Sequence, residues 1–269
     1  EVSIDTTVSS QYASALLMAS VANKNGLKIT MTGNRTNGAY IKITTNMMKQ
    51  FGIKFDRNGD ECIVYDDKFG IQEYQIEPDA SAACYFYAMA PLLKKKVTVV
   101  NLHNDSMQGD MKFVDVMKTI GCTVYDTDCG IQVDGTKLTE FNGITVDMND
   151  FSDQTMTMAC VAIFAQSPTI IENVGHIRMQ ESDRVVAIVN ELRKMGIESS
   201  FYEENGKTNI KIVPGQINDA EIETYNDHRI AMAFTLPGLV TGKITILNPM
   251  CCRKTFENYF EVIDSLYED

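Results

Sequence analysis

The sequence predicts an α/β fold assembled from repeated strand–helix–strand–helix–hairpin units, written βαβαββ. Three observations carry this. Met47-Met48-Lys49-Gln50-Phe51-Gly52-Ile53, Val116-Met117-Lys118-Thr119-Ile120-Gly121-Cys122 and Leu192-Arg193-Lys194-Met195-Gly196-Ile197 share one pattern: a basic residue in a last helical turn, a stopping glycine, then an apolar strand start. The glycines fall at 52, 121 and 196, so the pattern recurs after 69 and then 75 residues. A hairpin signal follows each stop, and a helix followed by a strand precedes it.

In chain order, a helix over residues 13–22 precedes a strand over 27–31, and a second helix ends at Gly52. A hairpin then turns at Asn58-Gly59 into 62–65. The next unit places a helix at 82–93, a strand at 97–101, a stop at Gly121, and a hairpin from 123–127 through Cys129-Gly130 into 131–133. The third places a helix at 156–165, a strand at 169–174, a stop at Gly196, and a hairpin from 199–204 through Asn205-Gly206 into 209–213. A fourth unit, from Ile222 on, has a helix at 230–240, a strand at 244–247 and a second helix before the chain ends at Asp269. Three units are thus expected to be complete, and the fourth to lack its hairpin. Packing such units around an axis, helices inside and sheets outside, buries their apolar faces.

Composition narrows the function. Lys and Arg total 24 against 36 Asp and Glu, a net charge of −12 and a pI near 4.7. That balance disfavours a broad phosphate-reading surface for nucleic acid and a polybasic membrane patch. Apolar runs such as 159–165 fall far short of the ~20 residues that span a bilayer. The opening Glu1-Val2-Ser3-Ile4-Asp5 has no basic or apolar leader, so a cytoplasmic location is expected. The seven cysteines are odd in number and form no Cys-x-x-Cys. Free thiols are therefore expected rather than a disulfide framework or a zinc site, and the adjacent Cys251-Cys252 are read as incidental.

Polar residues collect at helix starts in equivalent places of the repeats. They are Ser9-Ser10-Gln11, Asp79-Ala80-Ser81, Ser152-Asp153 and Asn226-Asp227-His228-Arg229 at first helices. At second helices they are 37–40, Gln108-Gly109-Asp110, Gln180-Glu181-Ser182-Asp183-Arg184 and Arg253-Lys254-Thr255. Capping explains Asp79, Ser81 and Asp110. It does not explain cations at the positive end of a helix dipole, where they are disfavoured unless an anion arrives. The pattern points to a cleft for small, highly anionic molecules. Asp153, Glu181 and Lys254 could handle protons there.

The motifs now stand together: Val8-Ser9-Ser10-Gln11-Tyr12, Tyr40-Ile41, Glu77-Pro78-Asp79-Ala80-Ser81, Met107-Gln108-Gly109-Asp110, Asp153 before Met156-Thr157, Glu181-Ser182-Asp183-Arg184, Asn226-Asp227-His228-Arg229-Ile230-Ala231-Met232 and Lys254-Thr255-Phe256. In this order and spacing, the chain resembles the 5-enolpyruvylshikimate-3-phosphate (EPSP) synthase family, also called 3-phosphoshikimate 1-carboxyvinyltransferases. The resemblance covers essentially the whole chain. It implies an enolpyruvyl transferase-like inside-out α/β barrel built of βαβαββ repeats. It implies transfer of the enolpyruvyl group of phosphoenolpyruvate to shikimate 3-phosphate, with release of phosphate, by addition and elimination without metal or organic cofactor.

By the same resemblance, Ser9, Ser10, Gln11, Asn37, Tyr40 and Gln180 would serve the shikimate 3-phosphate side, with Asp153 binding its hydroxyls and taking the proton of the attacking one. Arg184, Arg229 and Lys254 would bind phosphoenolpyruvate, Glu181 would protonate its methylene carbon, and His228 would support the phosphate end. A carboxyl that protonates carbon needs a water-poor setting or a relay. Asp183 and Asp227 are expected to cap or orient. Many family members carry Ser where Asn37 stands and Lys where Gln180 stands, so one phosphate contact is expected to be weaker. The family's N-terminal portion, about two repeat units, has no counterpart in this sequence and is an expected partner for activity. Residues 1–74 are accordingly expected to be the last repeat unit of the N-terminal domain, and 75–269 the C-terminal domain. Two alternatives stand beside this: the sister enzyme that uses UDP-N-acetylglucosamine, and an inactive anion-binding or assembly domain of a larger polypeptide.

Overall fold

The computed structural model describes every residue except 8, 34, 35, 69, 71, 72 and 267–269, and the side chain of residue 39. Val8, the first residue of one motif, therefore lies outside the described residues. The chain divides into two compact units, Glu1–Ile76 and Glu77–Asp269. Each has its own core.

The first unit runs β1 (Val2–Asp5), α1 (Gln11–Ser20), β2 (Leu27–Thr32), α2 (Ala39–Gln50), β3 (Phe55–Asn58), β4 (Glu61–Val64). Its sheet has the order β1-β2-β4-β3, with β1 and β2 parallel and the other pairs antiparallel. This is one complete βαβαββ unit. Ala13 and Leu17 of α1, Ile41 and Met48 of α2, and Ile29 and Cys62 of the sheet form its core. Each fully buried Leu or Ile contributes about 1.5–3 kcal/mol.

The second unit opens with α3 (Ala80–Leu93), β5 (Lys96–Val100), α4 (Lys112–Thr119), β6 (Thr123–Thr127) and β7 (Gly130–Asp134). It continues with β8 (Thr145–Asp147), α5 (Thr155–Ala162), β9 (Thr169–Glu172), α6 (Arg184–Lys194), β10 (Glu198–Glu204) and β11 (Lys207–Val213). It ends with β12 (Ala220–Ile222), α7 (His228–Thr241), β13 (Ile244–Ile246) and α8 (Tyr259–Ser265). Three sheets result, ordered β5-β7-β6, β10-β11-β9-β8 and β12-β13. The first helix of each repeat is the inner one. Every residue of α5 is buried, most of α3 and α7 are, and the three pack on one another. A helix apolar all round has no face to give to water. In α6, by contrast, Val185, Ile188 and Leu192 face inward while Arg193 and Lys194 stay exposed.

The helix stops are as expected. Gly52, Gly121 and Gly196 have φ of 78°, 108° and 82°, left-handed values that carry no Cβ penalty in glycine. Asn205-Gly206, with φ of 53° and 73°, joins β10 to β11 as a tight hairpin.

Four expectations need correction. The second repeat has no leading strand among the described residues. Residues 73–77 are all exposed and Pro78 follows, so that segment offers neither a buried face nor a donor at its end. In the first hairpin Asn58 pairs with Glu61, so the turn is Gly59-Asp60, one residue later than expected. The fourth repeat's strand ends at Ile222 instead of starting there. Arg253 and Lys254 do not begin a helix. They end a 3-10 turn, Pro249–Lys254, and α8 starts only at Tyr259, so for these two the dipole argument fails. No described helix is long and apolar enough to cross a membrane.

Candidate functional site

The starts of α5, α6 and α7 in the second unit converge on one polar cluster. Asp227 caps α7 by accepting from the Arg229 N–H at 3.0 Å. Asp183 caps α6 by accepting from the Val186 N–H at 3.1 Å, and it also holds Arg178 at 3.0 Å. Both therefore cap and orient, as expected. Asp153 caps nothing. It sits in a 3-10 turn, Asn149–Gln154, bent at Phe151 (φ −141°, ψ 42°), and that bend aims its carboxylate across to α6 and α7. His176 Nε2 lies 2.7 Å from Ser152 Oγ and secures the same turn.

Arg184, the first residue of α6, is only 3% exposed in its side chain. Its Nε and Nη2 donate to the two oxygens of Asp227 at 2.8 and 3.3 Å. Its Nη1 donates to Asp153 Oδ1 at 3.1 Å and to Gln180 Oε1. Arg229 Nη2 takes the other oxygen of Asp153 at 2.9 Å. Ser182 Oγ donates to Asp227 Oδ2 at 2.9 Å. Glu181 links the remaining pair: its Oε2 lies 3.1 Å from His228 Nδ1 and pairs with Lys254 Nζ. Thus the expected site residues of this unit fall into two adjoining networks: Asp153, Gln180, Arg184 and Arg229 around Asp227, and His228 and Lys254 around Glu181.

Its charges balance. The cations Arg184, Arg229 and Lys254 meet the carboxylates Asp153, Glu181 and Asp227. The sequence pattern suggested cations waiting for an anion. Instead the protein's own carboxylates already pair with these cations.

Burial alone would push Asp227 up, but the hydrogen bonds and charge of Arg184, with the Arg229 and Ser182 donors, hold its carboxyl below the ordinary range. Burial and then the Arg229 charge pull His228 down against Glu181 and Asp227, so the ring is neutral near pH 7. The neutral ring facing Glu181 carries its proton on Nδ1. Arg229 stays charged because Tyr85, Asp153 and Asp110 offset its burial.

Sequence reasoning assigned too little to Asp110, which it read as a cap. Asp110 accepts from Ser81 Oγ, and burial first, then the Asp153 charge, push its carboxyl up against Ser81 and Arg229. The motif Met107-Gln108-Gly109-Asp110 was its available signal. Tyr85 was missed altogether. It is fully buried on α3, burial pushes its phenol up, and it faces Arg229 without a well-formed hydrogen bond. Nothing local distinguishes it from a core tyrosine.

Metal binding is disfavoured by the pairing itself. Donor atoms of Glu181, Asp227 and His228 lie within 4.8 Å of one another, but Lys254 and Arg184 already sit on those carboxylates.

In the first unit, Ser9 Oγ accepts from the Gln11 N–H at 3.1 Å at the start of α1, and Ser10 is buried there. Asn37 precedes α2 and its Oδ1 accepts from Arg57 at 3.5 Å, while Tyr40 stands in the first turn of α2, half exposed.

This fold and this cluster define an enolpyruvyl transferase-type α/β protein. EPSP synthase from Acinetobacter baumannii is similar with a TM-score of 0.78 at 22% identity, over 98% of this chain and 62% of that one. The enolpyruvyl transferase NikO from Streptomyces tendae is similar with a TM-score of 0.70 at 15% identity, over 98% and 63%. The family model of EPSP synthase (3-phosphoshikimate 1-carboxyvinyltransferase) matches residues 1–263. The 3-phosphoshikimate 1-carboxyvinyltransferases of Nostoc punctiforme and Histophilus somni are each 41% identical, over 93% and 99% of this chain. The chain belongs to the EPSP synthase family. It spans 58–61% of the length of those two relatives.

Proposed function

We propose that the full-length protein carrying this chain transfers the enolpyruvyl group of phosphoenolpyruvate to shikimate 3-phosphate and releases phosphate. The observation that carries the reading is the Asp153 carboxylate held between Arg184 and Arg229, beside Glu181 held between His228 and Lys254. One carboxylate between two arginines, and one between a lysine and a neutral histidine, suit two coordinated proton transfers next to a bound anion. The curated relatives named above bear this activity in their names.

In this reading Asp153 accepts the proton of the attacking shikimate hydroxyl as its oxygen bonds to C2 of phosphoenolpyruvate. Glu181, entering the step as the acid once phosphoenolpyruvate has drawn Lys254 from it, gives a proton to the methylene carbon, producing a methyl group on a tetrahedral phosphate-bearing centre. In the second step a methyl proton returns to Glu181 while the C2–O bond to phosphate breaks and the double bond reforms, and the departing phosphate carries off the proton held by Asp153. Arg184, Arg229 and Lys254 hold the phosphoenolpyruvate charges, and the neutral His228 donates toward the carboxylate it faces. Ser9, Ser10, Gln11, Asn37, Tyr40 and Gln180 serve the shikimate 3-phosphate side. Glu1–Ile76 corresponds to the last repeat of the N-terminal domain, and Glu77–Asp269 to the C-terminal domain.

The test is phosphate release from the two substrates by the full-length protein. Release that requires both substrates and falls at least a hundredfold in Asp153→Ala is expected. No release by the wild-type protein overturns the reading. Residues 1–269 alone are expected to release none.

A further inference from the structure

Two residues ahead of Asp227 the backbone takes an unusual path. Tyr225 and Asn226 both have left-handed φ, 53° and 55°. Bulky side chains rarely adopt that conformation, so something outside the segment has to hold it. This path sets where α7 begins, and hence where Asp227, His228 and Arg229 stand.

The holder is visible on α6. Glu191 is completely buried, on a face otherwise made of Ile188 and Leu192. A buried carboxylate persists only when its oxygens are satisfied. Glu191 Oε1 accepts from Tyr225 Oη at 2.7 Å. Its Oε2 accepts from the Glu223 N–H at 3.0 Å and from Lys194 Nζ at 2.7 Å. Two of these three donors belong to the segment 223–225. Seven residues earlier on the same helix, Arg184 grips Asp227 with two hydrogen bonds. Seven residues are two turns, about 10 Å along one helix face. Helix α6 therefore holds the approach to α7 at both ends.

We infer that Glu191 is a positioning residue for the site: through Tyr225 Oη and the Glu223 N–H it holds the left-handed 225–226 turn that delivers Asp227 to Arg184 and Arg229 to Asp153. The inference rests on the proposed function in one respect only, that Arg229 and Arg184 bind phosphoenolpyruvate. When the clamp loosens, the competent arrangement is populated for a smaller fraction of the time. Apparent affinity for the anion falls by that fraction.

The experiment uses the full-length protein with Tyr225→Phe, which deletes one hydroxyl, and Glu191→Gln, which keeps an acceptor toward Tyr225 but opposes an amide N–H to that of Glu223. The first readout is amide hydrogen exchange without substrate. Residues 226–231 are expected to exchange at least tenfold faster in both variants, with β10, β11 and α5 unchanged. The second is steady-state kinetics: KM for phosphoenolpyruvate rises fivefold or more while KM for shikimate 3-phosphate stays within twofold. Unchanged exchange at 226–231, uniform acceleration throughout, or equal loss of both substrates overturns the inference. If the wild-type protein turns over neither substrate, the proposed function fails, while the exchange result still decides the role of Glu191.

Discussion

Arg184 is the residue on which structure and chemistry compete most directly. Its guanidinium is buried and spans Asp227, Asp153 and Gln180. Arg184→Ala leaves Asp227 buried without its main partner and is expected to destabilise by about 3–5 kcal/mol, so lost activity there confounds folding with binding. Lys254 separates the two. Its side chain is about half exposed and its partner Glu181 keeps His228, so Lys254→Ala is expected to change stability by less than about 0.5 kcal/mol. It should raise KM for phosphoenolpyruvate more than KM for shikimate 3-phosphate. Equal rises contradict its assigned role.

Protonation at this scale has a definite sign. Asp110 binds its proton more tightly folded than unfolded, because burial raises it. Its ionisation therefore opposes folding as pH climbs above the usual aspartate value of about 3.9. Asp110→Asn keeps an acceptor for Ser81 and should be more stable than wild type at pH 7, with the difference vanishing at acid pH in thermal melts. His228 runs the opposite way. Its lowered folded value means the unfolded chain takes the proton first, so stability is lost as pH falls below about 6.5. His228→Asn should flatten that acid limb, and an unchanged limb would assign it to other groups.

At the scale of elements, the repeat is enforced by helix ends. Gly196 closes α6 at φ 82°, and a Cβ there would lie 2.4 Å from Asn218 Nδ2. Gly196→Ala is expected to cost about 1–2 kcal/mol through the left-handed backbone alone. Chemical denaturation should show a lower midpoint with an unchanged slope. The cap at the other end of α6 is worth about 1 kcal/mol by the usual penalty for Asp→Ala, and Asp183→Ala also releases Arg178. These signals are legible in sequence because a stop or a cap involves atoms within one turn of each other. The same locality explains the failure at Lys254. Arg253-Lys254-Thr255 reads like a helix start, but Asn248 at φ 50° and Pro249 set a 3-10 turn ahead of it.

At the scale of the whole chain, the two units carry separate cores, one built on α1 and α2 and one on α3, α5 and α7. Glu77–Asp269 expressed by itself is therefore expected to unfold cooperatively, and a broad, non-cooperative melt would contradict that independence. The net charge of −12 also takes on a clearer meaning. It does not exclude small anionic ligands, because local field and net charge are separate quantities. The cluster is itself neutral by pairing, three cations against three carboxylates.

Helix stops, caps, the Asn205-Gly206 hairpin and the repeat pattern, apart from the second repeat's leading strand, are legible in the sequence because each is written in residues close together along the chain. Tertiary structure alone decided who pairs with whom. Arg184 meets Asp227 and Asp153, 43 and 31 residues away, and Asp153 meets Arg229, 76 away. Asp110 and Glu191 acquired their roles in the same way, from the elements packed against them. Side-chain pairing across elements depends on how helices are brought together by burial, and no periodicity along a single helix records which carboxylate will face which guanidinium.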